Sequence, residues 1–383
     1  MFRLFYILSS SCCGGISTGI FWDWFYNDEL VFGIKKYAVC LLAGIVAAYL
    51  ICTPEGERMG IKRDDVLQIA IITVPLTILG ARIYYMLTDG VATFAGYKET
   101  EGAFNAIFCT LFETIGFSKI LGKWQFVGIS GIGMFGVIVV TFIMVIVACR
   151  WKKWKFINFV DMVAPGLLIG QIIGRWGNFF NREAHGTVVG GWNIVDGELV
   201  AKLTQAEQYD KLINTWHIPK FIANNMCMAN QTCRISSDTW LTLSGYNYYH
   251  PTFLYESLMN LVGLILYFIL RRNKHMRSGQ FGALYMIWYG IVRIIIEIFR
   301  TDALYISGTS IKAYHLMMPI MIVVGIVLFI YFRFNKKSEL YMDAIKMGKK
   351  ETGDSSSESD NEEETVVVMH LEDEPPKDEE KKE

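Results

Sequence analysis

The stretch "GLLIGQIIGRWGNFFNREAHG", residues 166–186, joins an apolar run to a cluster of polar side chains. The apolar half indicates a membrane helix, because a helix needs roughly 20 apolar residues to cross the hydrocarbon core of a bilayer. The polar half places Arg175, Asn178, Asn181 and Glu183 where that helix meets water. A basic anchor alone would need neither amides nor a carboxylate, so these side chains are candidates for a functional site.

The composition of the whole chain also indicates a protein that is embedded in a lipid bilayer. The 383 residues are 52% hydrophobic and 14% aromatic, and the mean hydropathy is +0.32, which argues against a water-soluble globule. We therefore predict an all-α polytopic membrane protein with seven transmembrane helices. The predicted spans are residues 37–52, 66–88, 126–149, 157–180, 252–270, 280–299 and 316–334.

Basic residues near the short loops predict the orientation of these helices, because Lys and Arg are retained on the cytoplasmic side. They follow the first, third, fifth and seventh spans, at Arg58, Lys62 and Arg63, at Arg150, Lys152, Lys153 and Lys155, at Arg271, Arg272, Lys274 and Arg277, and at Lys336 and Lys337. The N-terminus is therefore predicted outside and the C-terminus in the cytoplasm. Residues 182–250 then form a long extracytoplasmic loop, in which a disulfide between Cys227 and Cys233 is chemically possible.

Residues 37–335 are predicted to form the transmembrane domain, with a different kind of segment on each side of it. The aromatic stretch at 1–36 is expected to lie on the outer membrane interface. Residues 336–383 are expected to form a cytoplasmic acidic tail, and from Glu351 onward they contain 14 acidic and 3 basic residues. Such a charge excess with few large apolar residues predicts disorder.

Charged residues recur inside the predicted spans, where they persist only if they are paired or needed. Arg293, Glu297 and Arg300 have i, i+4, i+7 spacing, which predicts one helical face with a carboxylate between two guanidiniums. They would either dock this helix to a neighbour as an ion-pair ladder or leave one positive charge for an anion such as a lipid phosphate. With Arg82 and Arg175 at the same outer level, four arginines are expected to converge on one leaflet.

A second motif, "HPTFLYE" at residues 250–256, opens the fifth span from its outer side. His250 before Pro251 fits an ordinary helix start, in which Tyr255 anchors the membrane interface. The same residues would also fit a functional site. Glu256 is an acid on an apolar face and should have an Arg or Tyr partner. The glycines at 166, 170, 174 and 177 predict close packing of the fourth span against a neighbouring helix.

These motifs resemble those of the prolipoprotein diacylglyceryl transferase family, over about Tyr37 to Tyr331. "GRWGNFFNREAHG" fits the family signature of Arg, Gly, Asn, Phe, Asn and Glu at fixed offsets, closed by Gly186. "HPTFLYE" is similar to its His-Pro-x-x-Leu-Tyr-Glu, "GARIYY" at 80–85 to its Gly-x-Arg-Ile-x-Tyr, and "YGIVRIIIEIFR" at 289–300 to its helix with Arg, Glu and Arg. The family also has seven spans with the N-terminus outside, as predicted here.

The resemblance implies transfer of the sn-1,2-diacylglyceryl group from phosphatidylglycerol to the lipobox cysteine thiol of a preprolipoprotein, with release of glycerol phosphate. It implies a multi-pass protein of the bacterial inner membrane whose partners are membrane lipid and the signal peptide of that substrate. No cofactor, metal or nucleic acid is expected.

Site residues follow from the same resemblance. The catalytic candidates are Arg175, Arg293, Glu297, Arg300 and His250, and Arg175 and Arg293 are expected on the phosphate. The substrate-binding candidates are Tyr37, Arg82, Asn178, Asn181, Glu183, Gly186 and Tyr255. His250, His185 and Glu183 are, in that order, the candidates for a proton acceptor, because Gly131 occupies the position at which many family members carry a histidine.

Two other functions remain open at this point. The arginines could line the site of a small-anion transporter or belong to a seven-span receptor, and the absent histidine would also fit an inactive family member. Transporters tend to show an internal repeat with broken helices, and the sequence shows no convincing duplication.

Overall fold

The described part of the chain, in a computed structural model, comprises residues 36–88, 105, 109, 117–120, 123–126, 134–235, 239–301, 312–335, 339–341 and 343. The predicted interfacial segment before Lys36, the acidic tail from Glu351 and Gly131 lie outside the described residues. The side chain of Arg82 lies outside them as well.

The described elements follow one another along the chain. The helices are α1 (Lys36–Arg58), α2 (Arg63–Thr88), α3 (Met134–Trp151), α4 (Phe156–Asn181), α5 (Gln205–Asp210), α6 (Lys220–Asn225), α7 (Thr252–Leu270), α8 (Gln280–Phe299) and α9 (Ala313–Phe334), with a π-helical turn at Lys211–Thr215. The strands are β1 (Phe117–Ile120), β2 (Lys123–Phe126), β3 (Trp192–Val195), β4 (Glu198–Ala201), β5 (Cys227–Arg234) and β6 (Trp240–Tyr248).

Six of the described helices are long and apolar enough to cross a membrane: α1, α2 over Arg63–Ala81, α4, α7, α8 and α9. A further apolar helix, α3, is shorter over Gly136–Trp151. Large apolar side chains on these helices, such as Leu42, Ile269 and Phe334, are more than half exposed, which fits contact with lipid. The chain is therefore a multi-pass membrane protein, and all seven apolar helices lie at predicted spans.

The described residues divide into two compact units, one formed by Lys36–Glu55 with the described residues from Val160 onward and the other by those within Gly56–Phe159. In the second unit α2 and α3 run antiparallel. A Cβ added at Gly136 would lie 2.8 Å from the carbonyl oxygen of Gly80, so bare backbone allows the two helices to approach. Lys152 Nζ lies 2.7 Å from Asp65 Oδ1 and joins the end of α3 to the start of α2.

In the first unit, glycines of α4 pack as predicted against α1. A Cβ added at Gly44 would lie 3.3 Å from the carbonyl oxygen of Gly170, and one at Gly166 would meet Cys52 and Ala48. Gly174 differs from the other α4 glycines, because an added Cβ there would meet no atom within 4 Å. Small residues therefore bring α1 and α4 together, but Gly174 does not take part in that packing.

A buried carboxylate fixes α4 to the start of α8. Asp161 is fully buried and accepts hydrogen bonds from the backbone N–H groups of Gly279 at 2.6 Å and Gly282 at 2.8 Å. These N–H groups have no partner within their own helix. The carboxylate therefore satisfies the first turn of α8 and matches the positive end of its dipole.

The chain after α9 folds back against the same end of the helices. Tyr341 is fully buried and donates its hydroxyl hydrogen to Glu55 at the end of α1. Glu55 also pairs with Arg271 Nη1 at 2.6 Å. The predicted tail begins at 336, yet these contacts show that folded structure extends to Tyr341.

The predicted extracytoplasmic loop contains a four-stranded sheet of order β3-β4-β6-β5, in which β4 and β6 pair in parallel and the other neighbours pair antiparallel. Its core includes Val188, Leu243 and Tyr249. The expectation of an all-α protein was therefore wrong for this segment. A membrane helix is recognised by a long apolar run, whereas these strands, of four to nine residues, carry only weak alternation of apolar and polar residues.

The strand β5 also argues against a disulfide between Cys227 and Cys233. The two residues lie at its opposite ends, so their Cα atoms are separated by about 20 Å at the usual rise of a strand. A disulfide requires a separation below about 7 Å. Both side chains are buried in the sheet subdomain.

Candidate active site

Five helices of the first unit place their ends at the predicted site. Helices α4 and α8 end there, and α1, α7 and α9 begin there. The first link is an ion pair between α4 and α7, in which Arg175 Nη2 lies 2.7 Å from Glu256 Oε1. Glu256 is 1% exposed and Arg175 is 23% exposed. The prediction that Glu256 has an arginine or tyrosine partner is confirmed.

The second link lies within α8 and reaches α9. Arg293 Nη2 lies 3.1 Å from Glu297 Oε2, with both side chains buried, and the Arg293 guanidinium stacks 4.3 Å from the ring centre of Tyr314. Lys312 donates from Nζ to the carbonyl oxygen of Glu297 at 3.0 Å. Among the described residues, Nε and Nη1 of Arg293 have no hydrogen-bond partner, so this guanidinium keeps unused donors.

Tyr289 shows that the two ion pairs share one neighbourhood. It lies on α8 one turn before Arg293, and its hydroxyl is within electrostatic range of Arg293, Glu256 and Arg175. Charges from α4, α7 and α8 therefore meet around a single side chain. The sequence interpretation missed Tyr289, although its i, i+4 spacing to Arg293 places both residues on one helical face.

Arg300 does not complete the predicted ladder on α8. The helix ends at Phe299 and Arg300 has an extended backbone, with φ −73° and ψ 138°. Helical i+7 spacing therefore does not apply to it. Its backbone instead forms a β-bridge with Gly186, which ties the end of α8 to the segment after α4.

The polar end of α4 is organised around Glu183. This exposed carboxylate accepts hydrogen bonds from the amides of Asn178 at 3.3 Å and Asn181 at 3.2 Å. Arg175 Nη1 donates a long hydrogen bond of 3.5 Å to the side-chain oxygen Oδ1 of Asn178. Tyr37, at the start of α1, lies within electrostatic range of Glu183 and Arg175. Four of the predicted residues are therefore gathered beside Arg175.

Two glycines in this region are required by close contacts. A Cβ at Gly177 would lie 2.7 Å from Cδ2 of Tyr37, so the tyrosine ring packs on bare backbone. A Cβ at Gly186 would lie 2.7 Å from Cβ of His250 and 3.2 Å from the carbonyl oxygen of Phe299. Gly186 also donates its N–H to the carbonyl oxygen of His250 at 2.9 Å. Packing at the junction of α4, α7 and α8 explains this glycine.

His250 is held within that junction. Its ring lies 4.9 Å from Trp216 and 5.3 Å from Phe299, measured between ring centres, and its Nδ1 is 3.3 Å from the Tyr255 hydroxyl. Burial, with a contribution from the charge of Lys211, lowers the pKa of His250 to about 4. The imidazole is therefore neutral at pH 7 and is a weak base.

His185, the other predicted histidine, is held in place by hydrogen bonds from both sides of its ring. Its Nδ1 is 2.9 Å from the carbonyl oxygen of Gly186 and its Nε2 is 3.1 Å from Gln231 Oε1. The ring also packs against Tyr249 at 4.7 Å. Both nitrogens therefore have partners, whereas Glu183 is exposed at the end of α4.

The chain is similar to known proteins over most of its length. A family model described as prolipoprotein diacylglyceryl transferase matches residues 29–331. Relatives named phosphatidylglycerol--prolipoprotein diacylglyceryl transferase include one from Streptococcus sanguinis, 32% identical over 311 residues, which cover 81% of this chain and 95% of the relative. Another, from Streptococcus agalactiae, is 30% identical over 303 residues, with 79% and 93% covered. A third, from Lactobacillus delbrueckii subsp. bulgaricus, is 30% identical over 311 residues, with 81% and 91% covered.

Proposed function

The chain belongs to the prolipoprotein diacylglyceryl transferase family, and from this premise we propose that it lipidates a cysteine at the membrane surface. It transfers the sn-1,2-diacylglyceryl group of phosphatidylglycerol to the lipobox cysteine thiol of a preprolipoprotein. The cysteine sulfur attacks the glyceryl carbon that carries the phosphate. A C–S bond forms, the C–O bond to that phosphate breaks, and its electron pair leaves with glycerol phosphate.

The observation that carries this proposal is the meeting of Arg175 and Arg293 around Tyr289. The leaving phosphate gains negative charge as the C–O bond breaks, and preorganised cationic donors lower the energy of that state. Guanidiniums suit a phosphate because their donors match two of its oxygens. Arg293 Nε and Nη1 have no partner in the part of the chain that the structure describes, and Arg175 is partly exposed, so two helices offer such donors.

The acids Glu256 and Glu297 position these guanidiniums. A buried carboxylate fixes the plane of the arginine that it pairs with and balances its charge in a dry environment. Since one carboxylate occupies only part of the five-donor fork, donors remain for a phosphate. In this proposal Tyr37 and Asn178, next to Arg175, bind the glycerol head group, and Arg300 adds positive charge. The role of Arg82 stays a prediction from the sequence, because its side chain lies outside the described residues.

The cysteine must lose its proton before or during attack, because the thiolate is the nucleophile. Positive charge from the two arginines favours the thiolate. We rank Glu183 above His250 as the proton acceptor, since Glu183 is exposed, whereas the His250 ring is packed against Trp216 and Phe299. Comparing the lipidation rates of Glu183→Gln and His250→Gln distinguishes the two acceptors.

The orientation proposed for the chain places this site at the outer leaflet of the bacterial inner membrane. The basic clusters after the first, third, fifth and seventh apolar helices support seven spans with the N-terminus outside and the C-terminus in the cytoplasm. The sheet subdomain of residues 182–250 then lies outside, where it can receive the signal peptide. The arginine-rich helix ends meet lipid head groups at that surface.

The deciding experiment supplies the detergent-purified full chain with phosphatidylglycerol and a lipobox peptide. A gain of one diacylglyceryl unit in the peptide mass, with release of glycerol phosphate, is expected. Arg175→Ala and Arg293→Ala should lower the rate at least a hundredfold, since loss of one donor to a developing oxyanion costs about that much. Arg272→Ala removes an exposed arginine at the other end of α7 and serves as the control. Saturable anion uptake without peptide modification would support a transporter instead.

A further inference from the structure

Helix α7 carries a polar residue that its surroundings do not explain. Asn260 is fully buried, and neither its amide nitrogen nor its amide oxygen has a hydrogen-bond partner among the described residues. A buried amide without partners is costly, because it has lost its hydrogen bonds to water without replacing them. Asn260 lies one helical turn beyond Glu256, which is about 6 Å further into the bundle.

A second unused donor lies on α8, slightly deeper in the bundle than Asn260. Trp288 Nε1 is buried and has no partner within the described structure. Trp288 is five residues before Arg293, so it lies about 8 Å further into the bundle than that arginine. The indole packs on the bare backbone of Gly263, where an added Cβ would lie 2.7 Å from its Cδ1. The glycine thus seats the indole against α7.

An apolar groove continues from Trp288 away from the arginines. Its cavity volume is about 90 Å³, which is small beside whole-ligand sites and is enough for a segment of a hydrocarbon chain. Helices α4, α7 and α8 line it, with Leu168, Gly263, Leu266, Leu270, Phe281 and Trp288 among the lining residues. Moving from the active-site end into the bundle, these helices therefore present first the paired arginines, then two donors without a partner among the described residues, Asn260 and Trp288, and last the apolar groove.

We infer that Asn260 and Trp288 bind the acyl ester groups of the lipid donor and that a segment of one acyl chain lies in the groove. The order of groups in a diacyl phospholipid is phosphate, then ester carbonyls a few bonds away, then hydrocarbon, which matches the order along α7 and α8. Ester carbonyls only accept hydrogen bonds, and Asn260 Nδ2 and Trp288 Nε1 both donate. The inference rests on the proposed function, because it extends the phosphate site of that reaction.

The test compares phosphatidylglycerol with two ester-linked chains against an analogue with two ether-linked chains. The wild-type enzyme should show a KM for the diester about ten- to a hundredfold lower than for the diether, because two hydrogen bonds are lost on the diether and each supplies a factor of about three to ten. Asn260→Leu and Trp288→Phe should raise the diester KM by that factor and leave the diether KM unchanged. Val262→Leu, on an exposed face of α7, is the matched control and should change neither.

Thermal stability separates binding from a structural role. Leucine has the branching of asparagine and needs no hydrogen bonds, which offsets the cost of its larger volume, so Asn260→Leu should melt near the wild-type temperature. A lower melting temperature with both lipids equally impaired would overturn the inference, as would an unchanged diester KM. A raised KM for the peptide alone would assign the groove to the signal peptide. If the wild-type chain transferred neither lipid, the proposed function itself would fail.

Discussion

Replacing Gly186 by alanine tests whether this signature glycine serves the junction or the substrate. The added Cβ would lie 2.7 Å from Cβ of His250, 2.9 Å from Cγ2 of Thr252 and 3.2 Å from the carbonyl oxygen of Phe299. Carbon atoms in favourable contact are about 3.5–4.0 Å apart. Two of the three neighbours are backbone or Cβ atoms, which cannot move away by a change of rotamer.

The cost has two parts. Overpacking a close-packed region costs about 1–3 kcal/mol. To relieve it, the segment must move away from its neighbours and weaken three hydrogen bonds: Gly186 N–H to His250 O at 2.9 Å, Thr187 N–H to Phe299 O at 2.7 Å and His250 N–H to Thr187 O at 3.0 Å. With up to about 1 kcal/mol for each weakened bond, we expect a total loss of about 2–5 kcal/mol.

Thermal unfolding of the purified protein in detergent, followed by tryptophan fluorescence, measures this loss. The expected fall in melting temperature is roughly 5–12 °C for a unit of this size, and lipidation should fall with it. Gly174→Ala is the stability control, since its Cβ would meet no atom within 4 Å and alanine favours a helix. A Gly186→Ala protein that melts with the wild type yet has lost activity would refute the packing argument and assign the glycine to the substrate.

Three further outcomes are expected. Arg175→Lys keeps the charge opposite Glu256 but loses the planar guanidinium. The lipidation rate should therefore fall about ten- to a hundredfold, while the melting temperature stays within a few degrees. An unchanged rate would contradict bidentate binding of the phosphate. His250 has a folded pKa of about 4, below the ordinary value near 6.5, so the unfolded chain binds its proton first as the pH falls and stability is lost between pH 6.5 and 4. At pH 5 this loss is about 2 kcal/mol, and His250→Gln should therefore show a smaller fall in melting temperature from pH 7.5 to pH 5 than the wild type; equal falls would count against it. Asp161→Asn weakens the acceptor for the first N–H groups of α8 and should cost about 1–3 kcal/mol in thermal unfolding, whereas an unchanged melting temperature would show that those groups do not depend on the charge.

The described apolar helices could be predicted closely because hydropathy alone specifies them. The spans predicted at 252–270 and 280–299 coincide with α7 and α8, since a lipid-facing helix has to be apolar along its whole length. Glu256 could be predicted to have a cationic or tyrosine partner for the same reason, because an acid inside an apolar helix requires one. Its partner proved to be Arg175.

The arrangement of side chains within the site depended on the tertiary structure. Arg300 was expected on the face of Arg293, but the helix ends one residue earlier, and helix ends are poorly specified by hydropathy. The sheet of residues 192–248 escaped prediction because its strands show little alternation of apolar and polar residues and are stabilised by pairing between distant segments, such as β4 with β6. The positions of Tyr289, Tyr314 and the unpartnered Asn260 likewise required the packing of helices against one another.

The sequence by itself determined which segments enter the membrane and which charged residues need partners, since both follow from the cost of exposing polar groups to hydrocarbon. The tertiary structure decided which acid pairs with which arginine and which donors stay unpaired, because those pairings join helices that lie far apart in the chain. Periodicity along one helix carries no information about the side chains of its neighbours.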